Sequence, residues 1–417
     1  MRSVFSNTSR IRLCYKALLL SVLMLASCAD DESMQEVLEE EALVEQLISA
    51  ELISTRNAVD IKLFLSLSGL DFPLDRLVYN VQVWKVEYKT MYKGASIIAS
   101  GMVYIPEGVD EKFSYLVFAH GTIASNSQAP TQIPSNDIQE LVFAGMATAG
   151  LVTLVPDFIG FGSSAELMHP YYIEEPIALA VIDQLKAVKE LLEQEKVGSD
   201  GEVYLSGYSQ GGYVAMATHK YIEEKGLESF ELKASFPAAG GYDMKGVRAY
   251  FFDQEIYQQP YYMAYIAEAY RAYYGYDNEL ISKIFNPPYD EKVLGIFDGI
   301  NTDSEINDLL NDTVKVLINE AYLTNPDMGV YAEISKHFEE NSLLDWIPNT
   351  KMYLYHGDAD ITVPYLNSLN TYNHFIASGA APDLVSFTTF KGANHGSGVV
   401  PYLEEFFKVL IEMEAPL

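Results

Sequence analysis

The sequence predicts an α/β fold: a mostly parallel central sheet flanked by helices, with a helical segment inserted late in the chain. Three observations carry this. Short, strongly apolar runs recur along the chain, as in strands buried on both faces of a parallel sheet. Helical segments separate several of them, and alternating strand and helix argue for layered α/β packing. Within Val203–Ala215, VYLSGYSQGGYVA, an apolar run gives way to glycines and then to a helix-like run, with Ser209 at the junction.

The first element is a processing segment. Arg2, Arg10, Arg12 and Lys16 precede the ten-residue apolar stretch Ala17–Ala26. A helix needs about 20 apolar residues to span a bilayer, so residues 1–27 read as a signal peptide. The segment ends in Leu25-Ala26-Ser27-Cys28, which resembles the lipobox of bacterial lipoproteins. The resemblance implies cleavage before Cys28 and lipid attached to its sulfur; the alternative is an ordinary signal peptide with a chance cysteine. Each buried CH2 of such a lipid contributes about 0.8 kcal/mol to membrane binding. Removing residues 1–27 takes away four positive charges and no negative one, deepening the net charge from −31 to −35. The acidic residues that follow, including Glu39–Glu41, are similar to surface-export tags of some Gram-negative lipoproteins, or they form a solvated tether. The implied location is the bacterial outer membrane, facing the periplasm or the cell surface.

Residues 28–60 are acidic and helix-prone and predict a tether and an outer helix. The core is expected over 61–242 and 350–417. Trp84, Val86 and Tyr88 alternate with Lys85, Glu87 and Lys89, a half-buried strand; ASIIASGMVYIP, closed by Pro106, is the next. The buried-strand runs are Tyr115–Ala119, Leu151–Val155, Val203–Leu205, Met352–Tyr355 and Val385–Phe390. Between them, Ile177, Val181, Leu185, Val188 and Leu192 make one helical stripe, with Pro176 at the first helical position. PYLEEFFKVLIEM is a closing helix. Residues 243–349 break the alternation and predict a helical cap; Tyr242–Tyr276 alone holds ten of the chain's thirty tyrosines. Those rings either form a substrate pocket or pack the cap onto the core.

Composition narrows the function. Hydrophobic residues are 49% and charged residues 20% of the 417, a globular balance. The acidic surface repels phosphate backbones, which argues against nucleic acid as a partner, and it disfavours anionic substrates. The two cysteines, Cys14 and Cys28, both precede the body, so no disulfide framework or thiolate metal cluster is expected there. The seven histidines show no H-x-x-x-H spacing, and neither a metal nor another cofactor is expected.

Gly207-Tyr208-Ser209-Gln210-Gly211 matches G-x-S-x-G. A nucleophile at a strand-to-helix elbow occupies a strained backbone conformation, and side chains two residues away on either side would collide with neighbouring elements. A serine hydroxyl is a poor nucleophile at neutral pH and needs a base, which in turn needs an orienting carboxylate. His395 in KGANHGSG follows the last predicted strand and supplies the base. In HGDADITVP, Asp358 and Asp360 compete for the acid; the register G-x-x-D-x-x-V-P from Gly357 to Pro364 selects Asp360 and leaves Asp358 to cap a turn or helix start.

In the order Ser209, Asp360, His395 the chain resembles the α/β-hydrolase superfamily, over roughly residues 80–242 and 350–417. The resemblance implies that Ala119–Thr122, AHGT, is the oxyanion loop, with the backbone N–H groups of Thr122 and Gln210 as donors. It matches PDFIGFGSS to a D-x-x-G-x-G-x-S loop whose glycines shape the chain. His120 and His356, in His-Gly pairs, read as structural. G-Y-S-Q-G-G and the long cap after KASFPAAG are similar to secreted lipases and esterases, although no H-G-G-G oxyanion motif is present.

The leading function is therefore a carboxylic-ester hydrolase working through an acyl-enzyme, on a small-molecule or lipid ester, held at a membrane by its N-terminal lipid. A serine peptidase of the prolyl-oligopeptidase type uses the same three residues, but most such enzymes carry a large N-terminal propeller and the segment before the first strands is too short for one. A surface binding protein that lost catalysis is the reading from another class, against which the complete serine, acid and base set argues. A dehalogenase needs Asp at the position of Ser209.

Overall fold

Nine strands form one sheet among the described residues of the computed structural model, which are 45–108, 110–135 and 137–414. The expected signal peptide, Cys28 and the acidic run lie outside them. The strands are β1 (Leu47–Arg56), β2 (Val81–Tyr92), β3 (Ala95–Pro106), β4 (Lys112–Ala119), β5 (Leu151–Pro156), β6 (Gly198–Tyr208), β7 (Glu231–Ala238), β8 (Lys351–Gly357) and β9 (Val385–Phe390). Their spatial order is β1-β2-β3-β5-β4-β6-β7-β8-β9. β1, β2, β3 and β5 pair antiparallel in succession, and the six strands from β5 to β9 run parallel. Every residue of β5 is buried, as a central parallel strand covered on both faces requires.

The connections are helical. α1 (Ala58–Ser68) precedes β2, α2 (Ile138–Thr148) joins β4 to β5, α3 (Glu174–Glu195) joins β5 to β6, and α4 (Gln210–Lys225) joins β6 to β7. Between β7 and β8 lie α5 (Met244–Asp253), α6 (Tyr261–Tyr274), α7 (Glu279–Ile284), α8 (Tyr289–Ile296), α9 (Asp303–Leu309), α10 (Val314–Leu317), α11 (Glu320–Thr324) and α12 (Ala332–Glu340). α13 (Tyr365–Ala377) precedes β9 and α14 (Val399–Glu414) follows it. One apolar core joins the sheet to α3, α4, α13 and most of the helical insertion; the other joins it to α1, α2 and α14. The predicted stripe of α3, from Ile177 to Leu192, is buried in the first core. No described helix is long and apolar enough to cross a membrane.

Two local expectations change. Leu47–Arg56, inside the segment read as tether and outer helix, is the edge strand β1, and α1 begins only at Ala58. β1 is mostly exposed, so it carries no buried alternation for the sequence to display. Its ladder with β2, from Leu47 opposite Tyr88 to Arg56 opposite Val81, overrides the helix propensity. The Glu190 carboxylate fixes its start, accepting the N–H groups of Gln46 and Leu47 at 2.8 and 2.9 Å. The second change is in α3, which starts at Glu174; Pro176 lies within its first turn, where a missing N–H leaves no helix bond unmade.

The topology marks one place for a site. The chain steps from β4 to β5 on one side and then from β5 over to β6 on the other, so the strand order reverses between β4 and β6. A crevice opens outside the carboxyl ends of parallel strands at such a switch point. Ala119 pairs with Gly207 there, and the next residues on each strand are His120-Gly121 and Tyr208-Ser209.

Candidate active site

Ser209 leaves β6 with φ 59° and ψ −122°, a conformation that non-glycine residues adopt only when their surroundings impose it. Here the surroundings are hydrogen bonds and close backbone. The Ser209 N–H donates to the Ala238 carbonyl at 2.9 Å. The Gly207 N–H donates to the Tyr402 hydroxyl at 2.7 Å, and that hydroxyl donates to the Phe236 carbonyl at 2.8 Å, so α14 braces the elbow from below. A Cβ on Gly207 would collide with the Gly211 carbonyl, and one on Gly211 with the Ala119 carbonyl. This crowding is the physical content of the two glycines.

His395, in the loop after β9, places Nε2 2.9 Å from Ser209 Oγ and Nδ1 2.6 Å from Asp360 Oδ2. A carboxylate only accepts, so Nδ1 carries the proton and Nε2 is free to accept from the serine. The Tyr208 hydroxyl donates to the His395 carbonyl at 2.8 Å, tying the histidine loop to the elbow.

Asp360 is buried and fully engaged. Oδ1 accepts the N–H groups of Thr362 and Val363 at 2.9 and 3.0 Å, and Oδ2 accepts from His395 and also from His356 Nε2 at 3.1 Å. Burial pushes its pKa up, but the hydrogen bonds and charge of His356 and His395 outweigh burial and bring it down to about 2. His356 is held by Ser368, whose hydroxyl donates to Nδ1 at 2.7 Å. Read from sequence only as half of a His-Gly pair, His356 is a positioning residue for Asp360. Its sequence signal is its place at the end of β8, four residues before Asp360. Asp358 takes no part: it is exposed and accepts the Gly392 N–H at 2.6 Å, joining the turns after β8 and β9.

The expected oxyanion residues lie beside the serine. A Cβ on Gly121 would stand 3.8 Å from Ser209 Cβ, so the AHGT loop passes directly over the elbow. Thr122 follows, its hydroxyl hydrogen-bonded to that of Tyr171 at 2.8 Å. Gln210 is the first residue of α4, where a backbone N–H has no intrahelical acceptor. The Gln210 side chain is pinned by a residue the sequence did not single out. Its amide donates to His169 Nε2 at 2.5 Å, while His169 Nδ1 donates to the Ile159 carbonyl at 2.7 Å. Burial lowers the pKa of His169 to about 3 and that of His120 to about 4. The PDFIGFGSS loop is scaffolding: Asp157 accepts from the hydroxyls of Ser100 and Thr131, each at 2.6 Å, and a Cβ on Gly160 would press on the backbone of His169.

The tyrosines of the helical insertion mostly pack. Tyr261 and Tyr265 are buried, and Tyr265 stacks on Tyr171 at 4.4 Å and on Phe297 at 4.5 Å. Tyr250 and Tyr257 donate to the carbonyls of Ile361 and Thr362, at 2.9 and 2.8 Å, so the insertion rests on the loop that carries Asp360. Among the described residues, no group of three or more His, Cys, Asp or Glu side chains is arranged to hold a metal ion.

No protein-family model and no curated protein matches the sequence. Solved structures do match. A Legionella pneumophila protein provisionally classed as a hydrolase superposes with a TM-score of 0.77 at 24% identity, over 89% of this chain and 100% of that one. The rice cell wall degrading esterase LipA from Xanthomonas oryzae, in a ligand-bound form, gives 0.76 at 25% identity, over 88% and 97%. Candida antarctica lipase A in its closed state gives 0.64 at 15% identity, over 89% and 83%. The structural neighbours are thus hydrolases of the esterase and lipase kind, and the chain has their α/β-hydrolase fold.

Proposed function

We propose that this chain is a serine carboxylic-ester hydrolase. The observation that carries the reading is the unbroken relay from Ser209 through His395 to Asp360, built on a strained elbow at the switch point of the sheet. The Ser209 hydroxyl attacks the ester carbonyl while His395 Nε2 takes its proton. Asp360 holds the tautomer and stabilises the imidazolium that forms. The negative charge on the carbonyl oxygen is met by the N–H groups of Thr122 and Gln210; removing one oxyanion donor costs about 2.7–4 kcal/mol where the donor is a side chain. His395 then gives its proton to the departing alkoxide, and a water, activated by the same imidazole, cleaves the acyl-Ser209 ester. The helices of residues 243–349 act as a cap over this site.

The likeness to an esterase and a lipase supports ester chemistry over amide chemistry. The test is a rate panel: p-nitrophenyl esters of graded chain length beside aminoacyl-proline amides. Turnover of esters with none of the amides is the expected result; the reverse would make the protein a peptidase.

The export reading is proposed with it. The mature protein begins at a lipidated Cys28, and Cys28→Ser is expected to move it from the membrane to the soluble fraction. Mass spectrometry of the mature N-terminus checks this directly: an unmodified residue there, or cleavage elsewhere, refutes the anchor. Replacing Asp30, Asp31 and Glu32 with neutral residues, read by protease accessibility on intact cells, tests surface export separately.

A further inference from the structure

An apolar groove of about 470 Å³ runs along the α1, α2 and α14 side of the sheet, away from the tyrosine-rich insertion. That volume falls within the ~300–1,000 Å³ typical of small-molecule sites. Its floor is Phe118, Val142 and Phe143, side chains of the core on that face. Gly121 and Tyr208 close its inner end, and these are the residues that flank Ser209 in space and in sequence. The groove opens between the first turns of α2 and α14, where Ile138 is 57% and Val400 45% exposed. Leu403 lines the wall between mouth and floor.

We propose that this groove holds the acyl chain of a medium- or long-chain ester; the inference rests on the ester-hydrolase reading above and names its substrate class. Neither Ser209 nor His395 lines the groove, which adjoins the nucleophile through Gly121 and Tyr208. The limb assigned to it is the one that stays bonded to Ser209 Oγ when the ester C–O bond breaks, while the alkoxide takes its proton from His395 Nε2 and departs. An apolar chain laid over Phe118, Val142 and Phe143 leaves water, and each methylene so buried is expected to raise kcat/KM about fourfold.

The experiment compares the full chain with Leu403→Trp and Ile138→Trp, which narrow the groove at its wall and at its mouth without touching the serine relay. Wild type should prefer p-nitrophenyl octanoate and laurate to acetate. Each variant should lose tenfold or more in kcat/KM on laurate while acetate stays within twofold and the melting temperature holds. Should Leu403→Trp melt low, Ile138→Trp, on the exposed rim, carries the comparison. An unchanged chain-length profile in a folded variant overturns the groove assignment, as does an equal loss on acetate and laurate. A second arm needs no turnover: a fluorescent dodecanoic acid should bind Ser209→Ala, and at least tenfold more weakly once Leu403→Trp is added. Equal binding by both proteins also overturns the assignment. Wild type that cleaves no ester, acetate included, instead overturns the hydrolase reading itself, so the two failures are separable.

Discussion

Ser209→Ala is expected to lower kcat on p-nitrophenyl esters by a factor on the order of 10⁵–10⁶, because nucleophile and base act as one unit and losing either removes the acyl-enzyme route. The fold should survive. The hydroxyl's bond to His395 Nε2 is one neutral hydrogen bond, and such a bond contributes about 1 kcal/mol. Alanine does not relieve the backbone, since its Cβ meets the same constraint at φ 59°. Ser209→Gly does relieve it, and that variant should melt above Ser209→Ala while being equally inactive. A fluorophosphonate probe should label wild type at Ser209, located by mass spectrometry, and label neither variant. Near-wild-type turnover by a folded Ser209→Ala protein would sink the mechanism.

What the sequence displays and what it conceals follow from where each interaction is made. β4, β5 and β6 are legible because a strand covered on both faces must be apolar throughout, as Leu151–Val155 is. Gly207 and Gly211 are legible because the elbow tolerates no Cβ at either position. Ser209, Asp360 and His395 lie 186 residues apart at the extremes, yet each follows a recognisable strand, so their meeting could be anticipated from topology. β1 is hidden for the opposite reason: its order comes from hydrogen bonds to β2 and Glu190, not from a buried face. His169 is hidden because it occupies no motif position, and the positioning role of His356 is hidden because its His-Gly pair reads only as structural; each acts through another residue, one on the Gln210 amide and one on Asp360. The tyrosine cluster is ambiguous in a third way. Its composition suits a pocket and packing alike; Tyr261 and Tyr265 are buried, and an open apolar surface near the serine is built from scattered residues of α2 and α14.

Asp360→Asn is expected to lower kcat by about 10⁴, the scale found when the triad carboxylate of a serine protease is made an amide, while Asp358→Asn should stay within a few-fold of wild type. The geometry dictates the sign. Asp360 Oδ1 receives two backbone N–H groups, from Thr362 and Val363. After Asp360→Asn the amide oxygen must keep that position, since an NH2 there would face two donors. The NH2 then points to where Oδ2 was, against His356 Nε2 and His395 Nδ1. His395 can meet a donor only by accepting at Nδ1, which moves its proton to Nε2 and leaves nothing there to take the serine's proton. His356, whose Nε2–H also bonds the Val363 carbonyl at 3.1 Å, loses its carboxylate partner at the same time. Asp358 lacks such a trap. Its carboxylate accepts the Gly392 N–H, and the Oδ1 of an asparagine accepts it equally well. Fluorophosphonate labelling of Ser209 should slow with Asp360→Asn and not with Asp358→Asn, with both proteins folded by circular dichroism. The reverse ranking would mean that the acid is drawn from the wrong carboxylate of the HGDAD loop.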